Sequence, residues 1–277
     1  MINFILIMHG LLWAGLLVTF SAFRPLEAAV PLSASTTGQA SPSAKDAPWI
    51  DLAKRFSAES SDVHNQSIQK LRALPDLNRQ LRAILQAATD GTSLLSTPTF
   101  LAFDVISTLK LGELLPDLLQ FSETDRSGFS YHAINALITP DNRRQIIERY
   151  RARLANSATS PAARMALLDT LGRLQTSVDS QVVEQLAQDP AEGTRSALVN
   201  YLRSFLLRGE ESGSLKIIRR MAEEGSLPLQ IQVIYLLSEL TPQTRLSQMN
   251  WVRDLCGRSS AGLESVCTER LGSWAKK

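Results

Sequence analysis

Apolar side chains recur along this chain at helical spacing, and five such stripes follow one another at an interval of about 30 residues. Each stripe ends on a leucine, and the steps between these leucines are 28, 34, 31 and 35 residues. The stripes are Phe103 to Leu109, Ala133 to Leu137, Ala166 to Leu171, Ala197 to Leu202 and Gln232 to Leu237. A repeat of this length predicts stacked supersecondary units that bury a continuous core only together.

The polar positions between the stripes carry helix start signals. Thr97-Pro98, Ser160-Pro161 and Asp189-Pro190 each combine an N-cap residue with a proline for the first helical position, where the missing N–H has no intrahelical partner. Thr139-Pro140 and Thr241-Pro242 do the same for second helices. The predicted helix pairs are 97–109 with 112–121, 127–138 with 142–154, 161–174 with 179–188, 191–208 with 213–224, and 228–240 with 243–256.

Further helices are predicted at both ends of the repeat region. Residues 49–57, 62–73 and 75–90 form an N-terminal set, and residues 262–274 form a C-terminal cap. Aromatic residues make up only 6% of the chain, and no run of alternating β-branched residues is present. This composition favours close-packed helices over sheets. We therefore predict an all-α fold with one repeat domain over residues 48–277.

Two of the repeats share a motif beyond the apolar stripe. Ser160 and Asp189 each precede a proline, Arg164 and Arg195 follow, and an alanine-rich stripe leads to a leucine seven residues after each arginine. This motif resembles HEAT repeats, particularly the short HEAT-like (PBS-lyase-type) form. The other three repeats have no arginine at this position and carry Ala102, Ser130 and Gln230. A TPR-like or generic α-solenoid is the alternative.

The resemblance implies a right-handed α–α superhelix, or solenoid, of about five to six helix pairs that presents surfaces to partners. It also implies that Arg164, Arg195 and Asp189 make structural hydrogen bonds between repeats. The family carries no catalytic residues that would transfer to this chain.

The first 28 residues have a different pattern. No charged side chain occurs from residue 4 to residue 23, and the small residues Ala28 and Ala29 follow. This pattern predicts a signal peptide over residues 1–28. The apolar stretch of about 20 residues is also long enough to span a bilayer as an uncleaved anchor, and a buried helix is a third interpretation. Cleaved signal and anchor alike place the rest of the chain outside the cytoplasm.

Residues 29–47 are small and polar and are interrupted by proline. They bury too little apolar surface to offset the chain entropy that folding would cost. We therefore predict a disordered Ser/Thr/Pro/Ala-rich tether, and an exposed tail left by processing is the alternative.

The only two cysteines, Cys256 and Cys267, flank a predicted turn between the last two helices. Gly257 suits the left-handed residue just past a helix end. A bridge across this helical hairpin would close a loop of about 12 residues and stabilise the fold by about 3 kcal/mol in the chain-entropy model. We predict that disulfide, which agrees with an oxidising compartment. Two free buried thiols are the alternative, and two ligands without a nearby histidine make no metal site.

Residue types suited to catalysis are sparse. Only three histidines are present, and no metalloprotease, phosphate-loop, serine-elbow or Cys-x-x-Cys motif appears. Asp104, Asn135 and Asp169 fall at similar repeat positions, where small polar residues cap or bridge neighbouring helices, and His132 is expected to be a partly buried packing residue. We predict no enzymatic activity, no cofactor and no metal. A cluster of Asp104, Asp169 and His132 in an apolar pocket would instead indicate an enzyme.

Basic residues are concentrated on two predicted second helices, although the net charge of the chain is only +2. Arg144 and Arg151 stand seven positions apart on a polar helix face, and Lys216, Arg219 and Arg220 surround an apolar stripe on another helix. In HEAT-like superhelices the second helices line the concave side. These five residues therefore predict a groove for an acidic peptide, an anionic lipid headgroup or a polyanionic envelope polymer.

An ordinary solvated face, balanced by Glu148, Glu223 and Glu224, is the alternative explanation of this charge. The net charge is too small to predict nucleic-acid binding.

Together these features predict an exported, non-catalytic HEAT-like scaffold, periplasmic or secreted, that binds a protein partner through its concave face. Two other functions stay open at this point. The first is a membrane-anchored structural subunit of a cell-envelope complex, held by residues 4–23. The second is an enzyme or enzyme-maturation factor built on the repeats. The identity of the partner and the oligomeric state have no signature in the sequence.

Overall fold

The computed structural model describes residues 48–55, 61–89, 97–209, 213–258 and 261–274. Over these ranges the chain forms fourteen α-helices and one 3₁₀ turn, and it forms no β-strand. The predicted all-α class is therefore confirmed. The predicted signal peptide (residues 1–28) and tether (residues 29–47) lie outside the described residues.

Three helices precede the repeats, namely α1 (Pro48–Lys54), α2 (Ser61–Arg72) and α3 (Leu77–Thr89). Five pairs follow, whose first helices are α4 (Thr97–Leu109), α6 (Ser130–Ala136), α8 (Pro161–Arg173), α10 (Glu192–Leu206) and α12 (Leu227–Glu239). Their second helices are α5 (Leu115–Ser122), which follows the 3₁₀ turn Gly112–Leu114, then α7 (Pro140–Ala155), α9 (Ser180–Ala187), α11 (Ser214–Glu223) and α13 (Pro242–Arg258). The last helix is α14 (Ala261–Trp274).

The first helices pack on one another in order. Helix α4 contacts α6, α6 contacts α8, α8 contacts α10, and α10 contacts α12, while α14 packs against both α12 and α13. We call α4, α6, α8, α10 and α12 the first-helix row, and α5, α7, α9, α11 and α13 the second-helix row. Backbones of successive second helices approach each other less closely than those of successive first helices.

A single cluster of buried apolar side chains runs through all fourteen helices, from Trp49 in α1 to Trp274 in α14. The five leucines that end the sequence stripes all belong to it: Leu109, Leu137, Leu171, Leu202 and Leu237. The repeat pattern therefore marks the residues that face the core.

Side-chain caps begin several helices where the sequence predicts them. The hydroxyl oxygen of Ser160 accepts a hydrogen bond from the N–H of Ala163 at 3.2 Å, next to the proline that opens α8. The Asp189-Pro190 start signal is wrong, because α10 begins only at Glu192. The carboxylate of Asp189 instead accepts the N–H of Ala191 at 2.8 Å, which forms a turn before the helix.

Helix α6 is also shorter than the predicted range 127–138. Asp125 accepts hydrogen bonds from the backbone N–H and the hydroxyl of Ser127, at 2.8 and 2.5 Å, and from the same groups of Ser130, at 2.9 and 2.7 Å. Gly128 has a φ of +79°, and a Cβ added there would lie 2.8 Å from the Cβ of Ala166 on α8. This glycine turn delays the start of α6 to Ser130.

Cys256 in α13 and Cys267 in α14 are paired as a disulfide, with their Cα atoms 6.3 Å apart. This separation lies within the usual range for a disulfide, so the predicted pairing is confirmed. The predicted role of Gly257 is wrong, because α13 continues to Arg258 and Gly257 is an ordinary helical residue of it. The bridge therefore joins two packed helices.

Within the part of the chain that the structure describes, every helix is too short or too polar to cross a bilayer. Residues 4–23, which the sequence offers as an alternative anchor, lie outside that part.

Candidate binding surface on the second-helix row

The two helix rows differ in charge. The helices of the first-helix row carry four Lys or Arg and four Asp or Glu residues, so their net charge is zero. Those of the second-helix row carry eleven basic and six acidic residues, so their net charge is +5. The excess positive charge of a nearly neutral chain is thus concentrated on one row, where it creates a local potential.

Among the described residues, the second-helix row carries these four surface clefts. The largest has a volume of about 660 Å³ and lies between α11 and α13. A cleft of about 330 Å³ lies along α7 beside the loop that leads to α9, and two more, of about 510 and 360 Å³, lie between α5 and α7. Each of the four is lined by at least one arginine. All four are open depressions of the surface and not enclosed cavities.

The α11–α13 cleft has a basic wall and a polar aromatic wall. Its lining residues are Leu215, Lys216, Arg219, Arg220, Glu223, Gln248 and Trp251. Lys216, Arg219 and Glu223 stand three and four positions apart, and Arg220 is adjacent to Arg219, so the four charged residues share one face of α11. Helix α13 contributes Gln248 and Trp251 from the opposite side.

The guanidinium of Arg219 is held in place by residues of α13. Its Nε donates to Oε1 of Gln248 at 2.6 Å, and its Nη2 donates to the same oxygen. Its Cζ lies 5.5 Å from a ring centroid of Trp251, which is a cation–π distance. Gln248 is only 5% exposed and donates in turn to Oγ of Ser247 at 2.8 Å. A guanidinium fixed in this way is a pre-oriented donor for a carboxylate.

The other charges of this cleft are only partly paired. Arg220 forms an ion pair with Glu184 of α9, while its Nε is buried with no hydrogen-bond partner among the described residues. Oε1 of Glu223 accepts the indole N–H of Trp251 at 2.7 Å. Lys216 is exposed and forms no ion pair within the described ranges. The cleft therefore keeps a net positive charge.

The cleft along α7 is formed around three arginines. Nη2 of Arg143 donates to the carbonyl of Leu174 at 2.8 Å, and Nε of Arg151 donates to the carbonyl of Ser177 at 2.9 Å. These bonds fasten α7 to the loop before α9. Arg144 is exposed and forms no ion pair in the described part of the chain. The predicted partner-binding residues thus fall into two groups, Arg144 with Arg151 and Lys216 with Arg219 and Arg220.

The remaining arginines of α7 line the clefts on its other side. Arg149 forms a 3.7 Å ion pair with Glu123, which follows the last residue of α5. Burial raises the pKa of Tyr131 to about 12, although a hydrogen bond with Arg153 opposes the rise. Burial also raises the pKa of Tyr150 above its usual range. Both phenols are therefore neutral hydroxyl donors at physiological pH. Helix α7 thus carries arginines that line clefts on both of its sides.

An ion pair joins Arg164 of α8 to Asp189, which lies in the turn between α9 and α10. Arg164 in α8 donates through Nη1 to Asp189, whose side chain is 2% exposed, and through Nη2 to the carbonyl of Ser157 at 2.8 Å. Arg195 lies partly buried on α10, and its Nε has no hydrogen-bond partner among the described residues. Of the three residues predicted to make hydrogen bonds between repeats, Arg164 and Asp189 therefore bind each other, and Arg195 is not part of that pair.

Asp104, His132 and Asp169 do not line any of these four clefts. Neighbouring residues partly desolvate the carboxyl of Asp104, which raises its pKa, and nearby His132 opposes the rise. Asp169 forms an ion pair with Arg173 on its own helix. The expectation that His132 is partly buried is wrong, because the core-facing positions of α6 are taken by its tyrosine, alanine and isoleucine.

Among the residues that the structure describes, no three His, Cys, Asp or Glu side chains are arranged to hold a metal ion. Both cysteines are committed to the disulfide.

Sequence reasoning missed the parts of the surface that neighbouring helices contribute. Gln248, Trp251 and Glu184 stand 29, 28 and 36 residues from the α11 side chains that they bind. These separations are close to one repeat length. An alignment of successive repeats would therefore have identified these residues as neighbours of the α11 side chains. Arg149 and Arg153 also line clefts, and their four-residue spacing places them together on one face of α7.

The chain matches no protein-family model, no curated protein and no solved structure.

Proposed function

We propose that this protein is an exported HEAT-like α-solenoid that binds an acidic protein partner through its second-helix row. The partner is held by shape and charge complementarity, and no covalent bond is made or broken.

The solenoid arrangement is supported by the order of the helix contacts. Each first helix packs on the next first helix, and α14 continues the series at the C-terminal end. The ion pair between Arg164 and Asp189 joins one repeat to the next. Nearest-neighbour contacts of this kind are what a right-handed α–α superhelix would require.

The difference in charge between the rows carries the binding proposal. A net charge of +5 on the second-helix row, against zero on the first-helix row, accompanies clefts that all contain arginine. Arginine binds carboxylates through parallel N–H···O bonds and is less strongly hydrated than lysine. Acidic side chains of a partner therefore complement the charge and the hydrogen-bond donors of this row.

An extracytoplasmic location is supported by the pairing of Cys256 with Cys267, because such bonds persist in oxidising compartments. The uncharged sequence from residue 4 to residue 23 supports export as well.

Two charge-reversed proteins with the same net charge test the binding proposal. The first combines Arg144→Glu with Lys216→Glu, which reverses one exposed cation in each of the two groups of predicted partner-binding residues. Neither side chain forms an ion pair within the described residues. The matched control combines Arg173→Glu with Arg203→Glu on the first-helix row, where both arginines are exposed. The control breaks two surface ion pairs, each worth at most about 1 kcal/mol, so its fold is retained.

Each full-length protein is tagged in its native host, and the captured proteins are identified and quantified by mass spectrometry. We expect an acidic partner to be captured by the parent and by the control, to be lost from the second-helix-row variant, and to dissociate as salt is raised. Equal capture by both variants, with helicity unchanged by circular dichroism, would contradict the proposal.

A further inference from the structure

The α11–α13 cleft differs from the other three clefts because it combines fixed cations with an accessible aromatic side chain. Trp251 is partly exposed, and its indole N–H is committed to Glu223 at 2.7 Å. Leu215 adds a second apolar side chain to the lining. The cleft therefore offers an apolar contact beside its positive charges.

The cations of this cleft are oriented before any ligand arrives. Arg219 is held by two bonds to Gln248 and by the ring of Trp251, and it forms no further hydrogen bond within the described residues. A guanidinium has five N–H donors, so three stay available to a ligand. Since little side-chain entropy is left to lose, binding to this arginine costs less than binding to a freely moving one.

The balance of charge in the cleft selects an anion. Glu223 is the one acidic residue of its lining, against Lys216, Arg219 and Arg220. Glu184 of α9 neutralises only Arg220. The ammonium of Lys216 is exposed and forms no ion pair in the described part of the chain.

The dimensions of the cleft favour a short extended segment over a free ion. Helix α11 has ten residues and is therefore about 15 Å long. An extended peptide covers that distance with about four or five residues. Alternate side chains of such a segment point to opposite sides, so carboxylates and an apolar side chain are presented at different points of the cleft.

We propose that the α11–α13 cleft binds an extended acidic peptide segment, whose carboxylates contact Lys216 and Arg219 and whose apolar side chain contacts Trp251 and Leu215. This inference rests on the proposed function, because it assigns one cleft of the second-helix row to the acidic partner.

Trp251 provides a direct readout. Of the three tryptophans that the structure describes, Trp49 and Trp274 are 0% and 4% exposed, so a ligand in the cleft changes mainly the fluorescence of Trp251. The fourth tryptophan, Trp13, lies outside the described residues, and its signal is the background that remains in Trp251→Phe. The full-length protein is titrated with the blocked peptide Glu-Glu-Leu-Glu-Glu and with its matched control Gln-Gln-Leu-Gln-Gln. We expect a saturable change with the acidic peptide alone, and we expect the change to vanish in Trp251→Phe.

Charge reversal of the cleft supplies the second test. Lys216→Glu is expected to weaken the acidic peptide by about tenfold, because one favourable charge pair becomes repulsive. Arg203→Glu on the first-helix row is the matched control and is expected to leave the affinity unchanged. A third titration uses anionic lipid vesicles. The proposal would be overturned by an equal response to both peptides, by an unchanged affinity in Lys216→Glu, or by a Trp251 response to the vesicles alone.

Failure of this inference can be told apart from failure of the proposed function. If the peptide does not bind but capture of the partner still requires Arg144 and Lys216, the cleft is wrongly assigned and the proposed function stands. If the peptide binds at Trp251 but capture survives the charge reversal, the cleft is an acidic-peptide site and the proposed function is wrong.

Discussion

The first-helix row and the second-helix row are built from the same repeats, but their polar residues are used in opposite ways. In the first-helix row, polar side chains are paired across successive helices. The amide of Asn135 donates to the hydroxyl of Thr170 at 2.7 Å, and the hydroxyl of Ser196 donates to Gln232 at 2.8 Å. Small residues let these helices approach closely, as at Gly193, where an added Cβ would lie 2.8 Å from the sulfur of Met165.

In the second-helix row, long side chains span wider gaps and leave clefts between them. Arg219 reaches Gln248, and Arg220 reaches Glu184, on the two neighbouring helices. The proposed function therefore implies a division of labour within one repeat, in which the first helices hold successive repeats together and the second helices present charge to a partner. Loss of a first-helix contact should therefore reduce stability, whereas loss of a second-helix cation should reduce binding.

The largest effect is expected from the core of the first-helix row. Leu167 in α8 is 0% exposed, and Leu167→Ala should lower the free energy of unfolding by about 2–5 kcal/mol because it leaves a cavity. Its control is Leu246→Ala on α13, where the leucine is 58% exposed and the loss should stay within about 0.5 kcal/mol. Urea denaturation followed by circular dichroism measures both. Similar losses in the two variants would show that Leu167 does not hold the core of the first-helix row together as described.

The next effect concerns the ion pair between repeats. Asp189→Asn keeps the shape of a side chain that is 2% exposed but leaves Arg164 unpaired at 17% exposure. We expect a loss of about 3 kcal/mol, since removal of one member of a buried pair leaves an uncompensated charge. Asp169→Asn is the control, because its pair with Arg173 is exposed and is worth at most about 1 kcal/mol. Equal melting temperatures for the two variants would rule out this role of Asp189.

The smallest effect is a pH dependence at the floor of the α5–α7 cleft. Burial raises the pKa of Tyr131 to about 12 from its ordinary value of 10.0. Folding thus favours the neutral phenol. Its contribution to the free energy of unfolding is complete below pH 10 and is lost as the pH rises towards 12. The full loss should approach about 2.7 kcal/mol, which is two units of pKa at 1.36 kcal/mol each.

Urea denaturation of the parent and of Tyr131→Phe at pH 9, 10 and 11 measures this contribution. The parent should lose more stability than the variant over that interval. Parallel losses would mean that the phenol of Tyr131 ionises as it does in the unfolded chain.

The fold followed from the sequence wherever one repeat specifies its own structure. Leucine spacing and proline start signals located the helices, because a buried stripe and a missing N–H act within a few residues. Two of the errors occur at the starts of α6 and α10, where Asp125 and Asp189 accept hydrogen bonds from backbone N–H groups in turns. Such side-chain bonds compete with helix initiation and leave no mark on the repeat period.

The candidate site was predictable on one side only. The basic face of α11 follows from residue spacing within a single helix. Trp251 and Gln248 belong to the same cleft only because α13 packs beside α11, and that depends on how successive repeats are aligned. The split of the α7 arginines between two sides of the helix also depends on its neighbours, since Arg143 and Arg151 bind the loop before α9.

The division of labour between the rows is tested most directly by hydrogen–deuterium exchange of the full-length protein, alone and bound to the captured partner. We expect the partner to slow amide exchange in α7, α11 and α13 and to leave α8 and α10 unchanged. Protection concentrated in α8 and α10, with α7, α11 and α13 unaffected, would contradict binding through the second-helix row.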